Sequence, residues 1–265
     1  MADNPEGVKA RIGLQFTRMA PTYDDDGTFA HFGRRLVDAV RVEPGQRVLD
    51  VASGRGAVLF PASERVGPTG HVEGIDLAEG MVAAVNADAE RLGIPARVRV
   101  MDAEHLDFPD ASFDRVFCGF GIMFPPDQAQ VLREMRRVLR SGGRLGVTTW
   151  QAPRMQDLDL VLARMGQKSS LPPGQIADPA VLTDVLVRAG FSDVRVDAET
   201  RLVERVDADT YWQQAMRSAM SRNLEALSAE QVNQVRAALA DQLEQYRQAD
   251  GLHVPVTALL ATASR

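Results

Sequence analysis

Residues 48–56 read Val-Leu-Asp-Val-Ala-Ser-Gly-Arg-Gly, an apolar run that breaks at a Gly-x-Gly turn and passes into a helical segment near 57–66. A short apolar run interrupted by one acid is the pattern of a strand covered on both faces. Gly54 and Gly56 let the turn take positive φ and let a ligand approach the backbone. The helix that follows offers free N–H groups at its start. The same alternation continues. Strands are predicted at 47–52, 70–75, 97–101, 113–118 and 143–149, and helices at 6–19, 28–40, 57–66, 78–92 and 127–139. This predicts an α/β fold with a parallel sheet and helices on both faces.

Three acids stand at three consecutive strand ends. Asp50 precedes the turn, Asp76 ends the second strand, and Asp102 follows the third. An acid at the second strand end can accept from both hydroxyls of a ribose. One at the third can accept from an adenine amino group, with the Ala103 N–H beside it for a ring nitrogen. A pyrophosphate-binding turn carries a third small residue, G-x-G-x-x-G. Here that position is Leu59, and an acid sits four positions before Gly54. S-adenosylmethionine has no phosphates, and its ammonium suits a carboxylate such as Asp50. The pattern therefore favours S-adenosylmethionine over NAD. A lone G-x-G is common and a single Asp after a strand is often a helix cap, so it is the series that carries the reading.

The motifs Val48–Gly56, Gly74–Met81, Asp102–Pro109, Ser112–Val116 and Leu132–Gly143 occur in that order. With them the chain resembles class I S-adenosylmethionine-dependent methyltransferases, most closely the ubiquinone/menaquinone-biosynthesis-like group of small-molecule enzymes. The resemblance covers about residues 10–150 well and the rest loosely, and it implies a doubly wound, Rossmann-like, seven-stranded and mostly parallel sheet with helices on both faces. It implies that Asp50, Ala52, Ser53, Gly54 and Gly56 face the methionine moiety and that Asp76 holds the ribose. Leu77 and Met81 then flank the adenine, and Asp102 and Ala103 read its edge. Cys118 and Gly119 border the methionine part, and Tyr23 contacts the cofactor from an N-terminal segment folded over it. Arg55 and Ser141 depart from the group, whose members often carry a smaller residue and a proline there.

Composition narrows the function. A net charge of −6 argues against nonspecific nucleic-acid binding, which depends on Lys and Arg contacts to phosphate. Cys118 is the one cysteine, so no disulfide framework forms within a single chain. No stretch approaches the ~20 apolar residues of a membrane helix. No charged-then-apolar leader is visible. No metal-ligand spacing stands out among His, Asp and Glu. The expectation is a cytoplasmic enzyme with a small-molecule methyl acceptor, no metal, no nucleic acid and no membrane, with a homodimer left open.

The chain reads as one methyltransferase domain over 1–265. Residues 1–40 form a helical cover, 41–206 and 250–265 the core, and 207–249 a helical lid inserted before the last strand. Leu171–Gly174 reads as a loop, and Pro255 places the strand near 252–262 at a bend or an edge. Methyl transfer from a sulfonium needs alignment and water exclusion, hence an apolar, closable pocket. Phe16, Phe120, Met123, Phe124, Trp150 and Tyr211 are its candidate walls, with Phe29, Phe32, Trp212 and Met216 behind them. Tyr23 and His31 are the candidate catalytic residues. His105, Arg34 and Arg35 read more simply as surface groups. Two other readings stay open on sequence alone: a nicotinamide-dependent oxidoreductase, and a protein that binds S-adenosylmethionine without transferring methyl.

Overall fold

Val48, Leu49 and Val51 are fully buried on β1 (Arg47–Val51), and they point alternately to opposite sides of it. Leu49 and Val51 join one apolar cluster and Val48 joins another, so β1 is covered on both faces. The computed structural model describes residues 4–151, 156–167, 176–205, 207–217, 224 and 227–265. Around β1 lie β2 (His71–Asp76), β3 (Ala96–Val100), β4 (Phe113–Gly119), β5 (Leu139–Trp150), β6 (Ser192–Arg205), β7 (Arg247–Gln248) and β8 (Gly251–Ser264). The sheet order is β3-β2-β1-β4-β5-β8-β6, with β7 paired to β8. Strands β1 to β5 run parallel, and β8 is antiparallel to both β5 and β6.

Helices α2 (Thr28–Val40), α3 (Leu59–Val66) and α4 (Glu79–Leu92) cover one face. Phe32, Leu36, Val37 and Val40 of α2 form its buried stripe at the three–four spacing of an amphipathic helix. On the other face, α5 (Gln128–Val138) and α7 (Pro179–Arg188) bury Val131, Leu132, Met135, Leu182 and Leu186. Asp127 and Asp178 cap the two helices with side-chain acceptors. A separate cluster joins α6 (Gln156–Arg164), α8 (Ala208–Arg217), α9 (Ala229–Leu243) and the first residues of β8, through Leu158, Leu162, Tyr211, Leu239 and Leu252. Helix α1 (Pro5–Met19) lies against α4.

Three expectations need correction. Among the described residues the sheet has eight strands where seven are expected, the extra one being the two-residue β7. Strand β5 begins at Leu139 rather than 143, because Leu139 pairs with Phe113 before the register slips to Arg115↔Arg144. Gly142, at φ +72°, lies in that slip. Pro255 is on an interior strand, but it pairs with Leu202 of β6 beyond Ala258, the last β8 residue paired with β5. Its missing N–H therefore costs no ladder bond on the β5 side. The predicted loop 171–174, Val206 and residues 218–223 of the predicted insertion lie outside the described residues. No helix among the described residues is long and apolar enough to cross a membrane.

Gly33 sets how closely α2 approaches the turn after β1. A Cβ there would stand 2.1 Å from the Ala57 carbonyl oxygen. Backbone cannot swing aside as a flexible side chain can. Gly33→Ala is therefore expected to lower stability by about 1–3 kcal/mol, as overpacking does, read as a reduced urea midpoint with an unchanged slope.

Candidate active site

The site is built where the parallel strands end. After β1 the backbone turns through Ala52 (φ +56°), Gly54 (φ +52°) and Gly56 (φ +85°). Ala52 is the costly member, because a Cβ residue rarely adopts this region. Two bonds fix the turn: Ser53 N–H donates to Ile75 O at 2.9 Å and Gly56 N–H to Ser53 O at 2.9 Å. Asp76, at the end of β2, accepts from Gly54 N–H through Oδ2 and from Ala78 N–H through Oδ1, both at 2.8 Å. Burial raises the Asp76 pKa, and these amides oppose the rise. After β3, Asp102 accepts from Glu104 N–H at 2.9 Å through Oδ1 and meets Lys9 Nζ at 2.7 Å through Oδ2. After β4, Phe120 (φ +56°) is held by its N–H, which donates to the carbonyl and hydroxyl oxygens of Thr148.

Three adjoining cavities open along this edge. The first, about 90 Å³, is walled by Asp76, Leu77, Met81, Asp102 and Ala103 from the sheet and by Lys9, Ile12 and Phe16 from α1. The third, about 190 Å³, lies against Ser53, Gly54, Gly56 and Gly119. The second, about 250 Å³, is walled by Phe16, Phe29, Phe120, Met123, Phe124, Trp150, Tyr211 and polar residues. Tyr23 and Phe120 line all three. Tyr23 stacks on Phe29 with centroids 4.7 Å apart, and Phe120 stacks on Trp150 at 4.1 Å. Edge-on contact between Phe29 and Phe120 joins the two stacks.

The structure thus brings together Tyr23, Ala52, Gly54, Asp76, Leu77, Met81, Asp102, Ala103 and Gly119 around the first cavity. Ser53 and Gly56 join the third. All six predicted acceptor-pocket residues, Phe16, Phe120, Met123, Phe124, Trp150 and Tyr211, line the second.

Three candidates are placed elsewhere. Asp50 lines none of these cavities and is 1% exposed behind the turn, where neither oxygen finds a well-formed hydrogen bond among the described residues. Burial, then the Asp76 charge, lifts its pKa well above the usual carboxylate value against a smaller pull from Leu59 N–H. In this structure the Asp50 carboxylate therefore lies behind the backbone of the turn and not in a cavity wall. Cys118 turns its thiol into the apolar cluster on the α5 face, and burial pushes its pKa up to about 12. His31 lies on the outer side of α2, its Nε2 3.0 Å from Glu199 Oε1, with Arg35 on the same carboxylate. It reaches none of the cavities. Of the aromatics placed behind the pocket, Phe32 is core and touches Phe120 and Trp150 edge-on, while Trp212 and Met216 belong to the α6–α8–α9 cluster.

Sequence reasoning missed Lys9, Ile12, Asp24, Glu104 and Arg205. Lys9, Ile12, Phe16 and Met19 recur at steps of three and four, a stripe that marks one face of α1. Asp24 lies between the second and third cavities and accepts from Phe29 and Ala30 N–H at 2.7 Å each. Burial raises its pKa to about 6 despite those amides. Asp26 is held below the usual range: burial works against its charge, but Thr28 and the Arg205 guanidinium outweigh it.

The residues fit an adenosine-bearing sulfonium cofactor. Ser53, in the wall of the third cavity, holds a buried hydroxyl with no partner among the described residues. A Cβ on Gly56 would meet the Phe60 ring at 2.7 Å, so the turn admits no side chain beside that cavity.

A family model described as a methyltransferase domain matches residues 48–143. The chain is 38% identical over 203 residues to nocamycin O-methyltransferase of Saccharothrix syringae, covering 69% of this chain and 72% of that protein. It is 34% identical over 158 residues to demethylmenaquinone methyltransferase of Listeria welshimeri, covering 57% of this chain and 66% of that protein. Its fold is similar to the crystal structure of the YcgJ protein from Bacillus subtilis, with a TM-score of 0.61 at 20% identity, covering 89% of this chain and 98% of that one.

Two outcomes are expected. Asp76→Ala removes the acceptor of Gly54 and Ala78 and should weaken S-adenosylhomocysteine binding by about 1–3 kcal/mol, measured by calorimetry. Asp24 carries a folded pKa near 6 against an ordinary value of 3.8. The folded chain therefore holds the proton more tightly than the unfolded chain does, and the stabilisation present at low pH is lost as pH rises through that interval. Asp24→Asn should flatten this part of the stability–pH curve, followed by urea denaturation at a series of pH values.

Proposed function

Because the chain belongs to the class I S-adenosylmethionine-dependent methyltransferases, in the ubiquinone/menaquinone-like group of small-molecule enzymes, we propose that it methylates an oxygen or carbon of a fairly apolar, ring-containing metabolite. The acceptor class is a polyketide, quinone or related secondary metabolite. The observation that carries this reading is the second cavity, whose aromatic walls meet the first and third cavities at Tyr23 and Phe120. The names of the relatives, a nocamycin O-methyltransferase and a demethylmenaquinone methyltransferase, agree with such an acceptor. The setting proposed is cytoplasmic, with a small molecule rather than nucleic acid as partner.

Bound S-adenosylmethionine supplies a methyl group on a sulfonium, open to in-line attack. In this reading Asp76 takes the ribose hydroxyls, and Leu77 and Met81 flank the adenine. Asp102 and Ala103 read the adenine edge. Ser53 and the Gly54–Gly56 turn receive the methionine end. Tyr23 and Phe120 stand where the reacting atoms meet. Their faces can stabilise cationic character, and the surrounding rings exclude water. Positioning of the two partners supplies most of the rate enhancement.

We further propose that the chain is one methyltransferase domain in which residues 207–249 act as a lid. In support, Thr210, Tyr211, Gln213, Gln214 and Ala215 of α8 stand in the wall of the second cavity. Helix α8 packs on α9 and on β6, and its apolar residues join the cluster with α6 and the start of β8 rather than either of the two clusters on the faces of the parallel sheet.

The test is incubation with methyl-labelled cofactor and a panel of hydroxylated polyketides and demethylated quinols. The expected result is a product heavier by one methylene with matching S-adenosylhomocysteine release. Absence of turnover across the panel would remove the proposal. With the best acceptor, Trp150→Ala should raise KM about tenfold and leave S-adenosylhomocysteine affinity within about twofold, because it removes acceptor wall alone.

A further inference from the structure

Helix α1 lines the first cavity, yet among its 15 residues Lys9 alone is buried. A lysine in that place is unusual, since this side chain is almost never buried without a partner. Here the partners are two carboxylates from the loop after β3. Lys9 Nζ lies 2.7 Å from Asp102 Oδ2 and 2.6 Å from Glu104 Oε2, with exposed Glu6 at 3.4 Å. The side chains of Lys9 and Glu104 are 9% and 8% exposed. Burial would lower the Lys9 pKa, but its hydrogen bonds to Asp102 and Glu104 outweigh this and hold it above the ordinary lysine value. The group stays charged at any working pH.

The contact reaches beyond α1. Glu104 Oε1 accepts from Asp127 N–H at 3.0 Å, and Asp102 Oδ1 accepts from Glu104 N–H. One ammonium thus joins α1, the loop after β3 and the start of α5. The rest of the α1 contact is made mainly with the start of α4, where a Cβ on Gly80 would stand 2.7 Å from the Thr17 carbonyl oxygen. Gly13 lies against the Leu77 carbonyl, and the Thr17 hydroxyl accepts from Gly80 N–H at 3.2 Å. Asp102, Glu104 and His105 could together hold a metal ion, but the Lys9 ammonium already stands on two of the three.

We propose that Lys9 is a positioning residue for the cofactor: it orients Asp102 at the adenine end of the first cavity and latches α1 over that end. Cofactor exchange then requires the Lys9 contact with Asp102 and Glu104 to break. The inference rests on the assignment of the first cavity to the adenosine part.

The probe is S-adenosylhomocysteine, followed by stopped flow on Lys9→Met and Lys9→Arg. Lys9→Met should raise both association and dissociation rate constants, dissociation by about tenfold or more, as expected when one member of a buried ion group is removed. Lys9→Arg, which keeps the charge, should stay within about threefold of the parent. Amide hydrogen exchange on the cofactor-free protein should rise over residues 5–19 in Lys9→Met and stay unchanged in β1 and β4. Unchanged exchange and unchanged rates together would overturn the latch. Faster exchange over 5–19 with rates within about twofold of the parent would show that α1 is latched but that the first cavity is not the adenine site.

Discussion

One carboxylate holds the site together. Asp76 accepts from the Gly54 N–H on one oxygen and the Ala78 N–H on the other, so it fixes the glycine turn after β1 against the start of α4. Those amides belong to different connections of the parallel sheet, and the shared acceptor, together with the Ser53 N–H bond to the Ile75 carbonyl, sets their separation. The consequence extends outward. With the turn fixed, Gly56 lies under Phe60, and Tyr23 settles over Gly54, where a Cβ would stand 3.6 Å from the Tyr23 ring. The cavities meet at Tyr23 because the turn beneath it is rigid.

The acids at the three strand ends are alike in sequence and unlike in environment. Asp50 is withdrawn behind the backbone, with burial and the Asp76 charge favouring its protonated form. Asp76 is shared by two amides and remains in the wall of the first cavity. Asp102 is engaged by a buried ammonium. Burial raises the pKa of both Asp50 and Asp76, and the backbone amides of Gly54 and Ala78 oppose the rise at Asp76, the residue that also orders the turn.

The parallel core was legible because its signals are local: alternating apolar strands, a glycine turn, and helices with a three–four stripe. The order of β1 to β5 and the faces of α2 and α5 follow from these signals with little help from long-range contacts. The acceptor cavity was legible in part, since aromatics beside strand ends have few other places to go. Three features were not. The burial of Asp50 depends on how the turn folds back over β1, which spacing does not encode. The withdrawal of His31 depends on Glu199, 168 positions away on β6. The pairing of Lys9 with Asp102 spans 93 positions. A charged residue on a polar helix reads as solvated until a distant partner is known, although the stripe of Lys9, Ile12, Phe16 and Met19 was present in the sequence.

The two helical layers over the site are anchored by different physics, and this assigns them different motions. The layer that contains α8 and α9 shares an apolar cluster with α6 and the first residues of β8, so lifting it exposes Leu158, Leu162, Leu239 and Leu252 together. Apolar burial of that kind is lost cooperatively and opposes opening in proportion to area. Helix α1 has a smaller apolar contact: Phe16 and Met19 pack against Ala20, Ala78 and Met81, and its one buried side chain is charged. An ion contact admits water as soon as it separates, so the carboxylates and the ammonium regain hydration and part of the opening cost is returned. Of the two layers, α1 is therefore the one held by the smaller apolar contact, as the proposed latch requires. Phe16 on α1 and Tyr23 just beyond it stand in both the first and the second cavity. On the proposed assignment of the cavities, movement of α1 would disturb the cofactor and acceptor sides together, coupling the two occupancies through two aromatic rings.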